Sequence, residues 1–215
     1  MCAFVALAAG LLHLATRRKA NYGGPGRLAT KLAFVFMGVA FLLLETKSVI
    51  QFSLLFGTTW VNNSLVFLGV LSLILAANWA ALFVRSERAA GLIGAALLGS
   101  CLLVFVFPLG KLLQVESGVL RFILASLLTF TPIFFANLIF SVSFRDEVVP
   151  EHVFGWNLLG ATLGGVIEYT GMFTGYTFLA AIVALCYALV LALLAYAKRS
   201  GKVVLDTDQA SLGTA

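Results

Sequence analysis

Gly38-Val39-Ala40-Phe41-Leu42-Leu43-Leu44-Glu45-Thr46-Lys47-Ser48-Val49-Ile50-Gln51 is the stretch on which the fold of this chain turns. It lies inside a run from Leu32 to Phe56 that is otherwise almost wholly apolar. At about 1.5 Å per residue, such a run is long enough to cross a bilayer as a helix. Glu45 and Lys47 fall near its middle. A charge at that depth costs roughly 2.5–3.5 kcal/mol on insertion scales and is tolerated where it faces neighbouring helices and finds a partner.

The rest of the chain agrees with a membrane setting. Of 215 residues, 61% are hydrophobic and 11% charged, against about 25% charged in a soluble domain. The fold class expected is therefore all-α: a polytopic transmembrane helical bundle. The net charge of +5 comes from short basic clusters between apolar runs, as in loops on the inner side of a membrane. Nucleic acid is not an expected partner; the lipid bilayer is. Cys2, Cys101 and Cys186 each sit in an apolar run, with no metal spacing or disulfide framework, and read as buried inert thiols.

Taken in order, the apolar runs predict six full spans and a shorter leading one. Residues 2–16 form the short run, about 22 Å at helical rise, closed by Arg17-Arg18-Lys19. Its charges follow the apolar core and no small-residue cleavage site appears, so it reads as a span with a missing beginning, the chain then being the C-terminal piece of a longer protein. The six full spans are predicted at 32–56, 65–84, 90–107, 119–144, 153–173 and 176–197. Pro132 should kink the fifth span in chain order, with Thr129 and Thr131 placed to satisfy freed carbonyls. The segment 200–215 has no periodicity and is predicted to be a flexible cytoplasmic tail.

Alternating the loops across the membrane puts eleven Lys and Arg on one side (Arg17, Arg18, Lys19, Arg27, Lys31, Arg85, Arg88, Arg145, Lys198, Arg199, Lys202) and only Lys111 and Arg121 on the other. The positive-inside rule then predicts a cytoplasmic C-terminus, with the start of the chain outside.

Within the central span, Glu45 and Lys47 are about 200° apart around the helix and cannot pair with each other. Lys47 shares a face with Gln51. The span beginning at Val153 carries Asn157, Gly160, Ala161, Gly164, Glu168 and Gly171 along one stripe, and Gly160-x-x-x-Gly164 is a small-residue pattern that lets membrane helices approach closely. Lys47 lies 15 residues past Leu32 and Glu168 lies 15 past Val153. Both spans run the same way, so the two charges should share a depth, and a Lys47–Glu168 pair is expected. The candidate intramembrane polar site is thus Glu45, Lys47, Gln51, Asn157 and Glu168, with Gly160 and Gly164 for helix packing. Asn78, Asn137 and Asn157 read as glue between helices. His13 and His152 read as lone interfacial histidines. No G-x-S-x-G, H-E-x-x-H, C-x-x-C or phosphate-loop motif is present, so no catalytic residue, metal or cofactor is assigned.

Gly38-x-x-Phe41-x-x-x-Glu45-Thr46-Lys47-Ser48-x-x-Gln51-x-x-Leu54-Leu55-Phe56-Gly57 resembles a motif of bacterial membrane proteins known as spermidine-synthase-like. Phe154-Gly155-Trp156-Asn157-Leu158-Leu159-Gly160, Gly164-Gly165-x-x-Glu168-Tyr169 and Thr174-Gly175-Tyr176 resemble later parts of the same family. In many of these proteins a helical bundle similar to a major-facilitator transporter is fused to an aminopropyltransferase-like domain. The resemblance implies half of a major-facilitator bundle, completed by a second membrane half or a second copy, and an aminopropyltransferase-like partner. No such soluble domain is present in this chain, so the resemblance does not imply an enzyme. Two functions follow as expectations. One is a transporter-like bundle handling a small cationic solute at Glu45 and Glu168, with Gln51 and Asn157 as polar liners. The other is a membrane anchor or accessory subunit of a partner enzyme or complex.

Overall fold

The computed structural model describes residues 25–107, 109–147 and 149–212. The leading run 2–16, with Cys2, His13 and the Arg17-Arg18-Lys19 cluster after it, lies outside the described residues. Helix α1 (Pro25–Phe56) is followed by α2 (Trp60–Ala81), α3 (Glu87–Val106), a 3-10 helix (Leu109–Gln114), α4 (Gly118–Arg145), α5 (Pro150–Glu168), a single turn α6 (Gly171–Thr174) and α7 (Tyr176–Leu212). Strands are absent from the described residues. Five helical stretches are long and apolar enough to cross a membrane: Gly26–Phe56, Trp60–Ala81, Arg88–Val106, Gly118–Arg145 and Phe178–Ser200.

Several boundaries differ from those predicted, each for a local reason. The second span starts at Trp60, not 65, because Thr59 accepts a bond from the Asn62 N–H and nucleates the helix there. Gly57, at φ +88°, turns the chain between α1 and α2 in a backbone region costly for other residues, and its carbonyl accepts from the Asn62 side chain at 3.0 Å. Ser86 and Ser117 cap α3 and α4 in the same manner as Thr59. The predicted span 153–173 is instead a helix that starts early, with Pro150 in its first turn, and stops at Glu168. A break then leads to α6 and to Gly175 at φ +84°. This helix is not one of the five apolar ones: Glu151, His152, Asn157, Glu168 and its glycines dilute its hydropathy. At the other end, α7 continues to Leu212 rather than giving way to a tail at 200, since no proline interrupts it and each added helical residue gains a backbone bond.

Helix α1 occupies the centre and touches α2, α4, α5 and α7. Half of its best apolar window is buried, against 22% for α2 and for α3, which therefore form the outer wall. The contacts fix direction. Gly26 lies against Ala197 and Ser200, while Leu44 and Lys47 meet Ala180 and Val183, so α7 runs antiparallel to α1. Phe34 meets Phe140 edge-on and Phe52 stacks on Phe130, so α4 is antiparallel as well. Val35 lies against Gly160, Val39 against Gly164 and Thr46 against Glu168, so α5 runs parallel to α1.

These directions gather Arg27, Lys31, Arg85, Arg88, Arg145, Lys198 and Arg199 at one end of the bundle, with Lys111 and Arg121 at the other. One arginine at each end binds main chain. Arg121 donates to the Leu113 and Val115 carbonyls. Arg145 donates to Ala81 O at 2.7 Å and Val84 O at 2.9 Å, satisfying carbonyls that the end of α2 leaves open. Arg145→Ala is expected to cost about 1–2 kcal/mol, read as a lower melting temperature, and Arg145→Lys to recover only part, because one ammonium cannot reproduce the two-pronged fork.

At the same end Glu147 lies outside the spans. Burial pushes its carboxyl above the ordinary carboxylate range, the Arg27 guanidinium pulls the other way, and Asp146 adds to the rise. A carboxyl raised on folding loses stability as pH climbs through the carboxylate range. Glu147→Gln is therefore expected to melt slightly above the parent at pH 7 and level with it below about pH 4.

Pro132 lies inside α4. Thr131 donates to Leu127 O, which is not the carbonyl its ring frees, and Thr129 Oγ1 is buried without a partner. The expected repair of the proline gap by Thr129 and Thr131 is thus not made by either hydroxyl.

Candidate functional site

The α1–α5 seam is built from the absence of side chains. A Cβ on Gly38 would stand 2.0 Å from Asn157 O, and one on Gly160 would stand 2.0 Å from Val35 O. On Gly164 it would meet Val39 O at 2.9 Å. The two backbones therefore touch, a geometry that favours dispersion and Cα–H···O contacts between helices in lipid. Polar bonds hold the seam on either side of the glycines. Asn157 Nδ2 donates to Phe34 O at 3.1 Å, and Thr46 Oγ1 donates to Glu168 Oε2 at 3.3 Å.

Glu168 thus sits at the level of Thr46 and Lys47, but the expected Lys47–Glu168 pair is not formed. Lys47 is one residue, about 100°, further round α1 from Thr46, and that rotation carries it off the α5 face. It is 3% exposed and lines a small cavity with Leu44, Cys101, Val104, Ala180 and Val183, between α1, α3 and α7. Cys101 shares this cavity with it, and no hydrogen bond or ion pair reaches Lys47 from the described residues. Tyr187 is fully buried.

Glu45 takes a third direction. It lies seven residues after Gly38, which touches α5, and seven before Phe52, which stacks on α4. Its side chain therefore falls at the border between the α5-facing and α4-facing stripes. It is half-buried and has no hydrogen-bond or ion partner among the described residues. Gln51, a turn beyond Lys47, keeps its Oε1 buried and unpartnered. Of the asparagines read as glue, Asn78 accepts from Ser141 across α2 and α4, and Asn157 bridges α5 to α1. Asn137 instead donates back to Ile133 O of its own helix, one turn earlier.

The structure therefore brings Glu45 and Glu168 to one level through Thr46 and removes Lys47 from them. Thr46 was missed in the sequence, although it continues the Gly38–Leu42 stripe at the next four-residue step. Cys101 was read as inert, and nothing in its surrounding sequence points to Lys47. No metal-binding group of three or more His, Cys, Asp or Glu occurs among the described residues. A salt bridge, Arg145–Asp146 at 3.4 Å, lies outside the site.

The fold and site define a class: an all-helical bundle with five helices apt to cross a membrane, that is, a multi-pass membrane protein. No family model, curated protein or solved structure matches the chain.

Proposed function

We propose that this chain is a transporter-like bundle that takes a small cationic solute between Glu45 of α1 and Glu168 of α5. The observation that carries this is the separation of charges: two carboxylates share one depth, the single described hydrogen bond to either is from the neutral Thr46 hydroxyl, and the cation of the same helix points elsewhere. An acidic pair in a low-dielectric setting is stabilised by an ammonium group far more than by water-exposed contacts. Gln51 lies on the Lys47 face and is not a liner of this site, while Asn157 is occupied with the Phe34 carbonyl.

The topology proposed is six crossings, with α5 as a sixth sheltered against α1, both ends of the described chain on the basic side, and that side cytoplasmic in a bacterial inner membrane. Kinship with spermidine-synthase-like membrane proteins, and with half of a major-facilitator transporter, is proposed on the Gly38–Gly57 and Phe154–Tyr176 residues alone. The aminopropyltransferase-like partner and a second half or copy belong to the same proposal.

The accessory reading is favoured by a different observation: the α1–α5 seam is closed backbone to backbone, as a scaffold requires. One experiment separates them. Binding of radiolabelled methylammonium and putrescine to the purified chain in nanodiscs is expected to be saturable, and at least tenfold weaker in Glu45→Gln with Glu168→Gln. Lys47→Met is expected to bind as the parent does. Absence of saturable binding of both probes, or binding indifferent to the two carboxylates, overturns the solute site and leaves the scaffold.

A further inference from the structure

We infer that the cavity beside Lys47 binds a small monovalent anion in the size range of chloride and bromide. It lies off the α5 face of α1, and its test reads out separately from that of the cation proposal. Lys47 presents an ammonium with three N–H donors. The residue is only 3% exposed, and no acceptor from the described residues reaches it. The walls supplied by Leu44, Val104, Ala180 and Val183 are aliphatic. A buried charge without a counter-charge is the costliest arrangement a protein interior offers.

The chain's own carboxylates do not relieve it. Glu168 is turned to Thr46 on the α5 face, and Glu45 lies between the α5 and α4 stripes. The space left beside Lys47 is that of about one water-sized group. A water there would accept a hydrogen bond but leave the positive charge uncompensated, whereas a halide, somewhat larger, supplies both. Cys101, which lines the same cavity, adds a weak S–H donor. Larger oxyanions are excluded by Val104 and Val183, which are themselves buried.

The test is thermal unfolding of the full chain in detergent, in sodium bromide, chloride or gluconate at equal ionic strength. The parent is expected to show a saturable rise of about 5 °C in bromide at a hundredfold excess over its dissociation constant. Lys47→Met, which extends the aliphatic wall, is expected to lose the rise, while Glu45→Gln keeps it. Identical melting of the parent in all three salts, or a bromide response retained in Lys47→Met, overturns the site. Should Lys47→Met fail to fold, anomalous scattering from parent crystals soaked in bromide decides. A peak beside Lys47 Nζ supports the site, and none at saturating bromide overturns it.

Discussion

Gly38→Ala is expected to lower stability by about 3 kcal/mol or more, beyond the usual range for adding one methyl group. The added carbon would lie 2.0 Å from Asn157 O and 2.7 Å from Ala161 N, both backbone atoms that no rotamer change can move. Helices α1 and α5 must separate, and the separation stretches the Asn157–Phe34 and Thr46–Glu168 bonds together. Gly160→Ala should cost as much, since its contact is again 2.0 Å from a carbonyl oxygen. Gly164→Ala, at 2.9 Å from Val39 O, should cost less, and Gly165→Ala, whose carbon would only touch Leu42 Cδ2 at 3.4 Å, little. Gly91 and Gly99 have open space, so alanine there should be neutral or gain up to about 1 kcal/mol of helix propensity. The double change Gly38→Ala with Gly160→Ala should cost less than the sum, because either one opens the seam. Thermal unfolding followed by size-exclusion recovery checks the series; a flat ranking across these glycines contradicts the seam.

Phe52→Ala is expected to cost about 3–5 kcal/mol. Phe52 is fully buried and stacks on Phe130 at 5.1 Å between centroids, with Phe122 edge-on at 5.8 Å and Phe56 beside it. In lipid the driving force for such packing is dispersion rather than release of water, so the vacated volume counts chiefly as lost contacts. Phe52→Leu should retain much of the stability. Leu54→Ala, two residues away and 73% exposed, should be near neutral. Chemical unfolding in mixed micelles reads the difference, and equal loss at Phe52 and Leu54 would contradict the central place of α1.

How much of this was legible beforehand differs between helix and site. The spans were visible because their signal is additive: long apolar runs separated by short polar or basic segments. Their ends were less visible, because ends are set by single bonds. Thr59 starts α2 five residues earlier than hydropathy suggests, and the run Ile167–Phe173 conceals the break after Glu168. Depth could be counted along the chain, so Glu168 and Lys47 were assigned the same level. Azimuth could not be, since it depends on which neighbour lies on which side of α1. One residue of rotation separates Thr46, which meets Glu168, from Lys47, which meets Cys101. Gly38 was likewise seen as part of a motif, without the backbone contact that explains it.

Disulfide cross-linking decides the central arrangement most directly. With Cys2, Cys101 and Cys186 replaced by alanine, the pairs Thr46→Cys with Glu168→Cys and Lys47→Cys with Glu168→Cys are oxidised in membranes under the same conditions. The first pair should cross-link rapidly and the second should not. Preferential cross-linking of the Lys47 pair would mean that the ammonium faces α5 after all, and both the acidic site and the anion cavity would lose their basis.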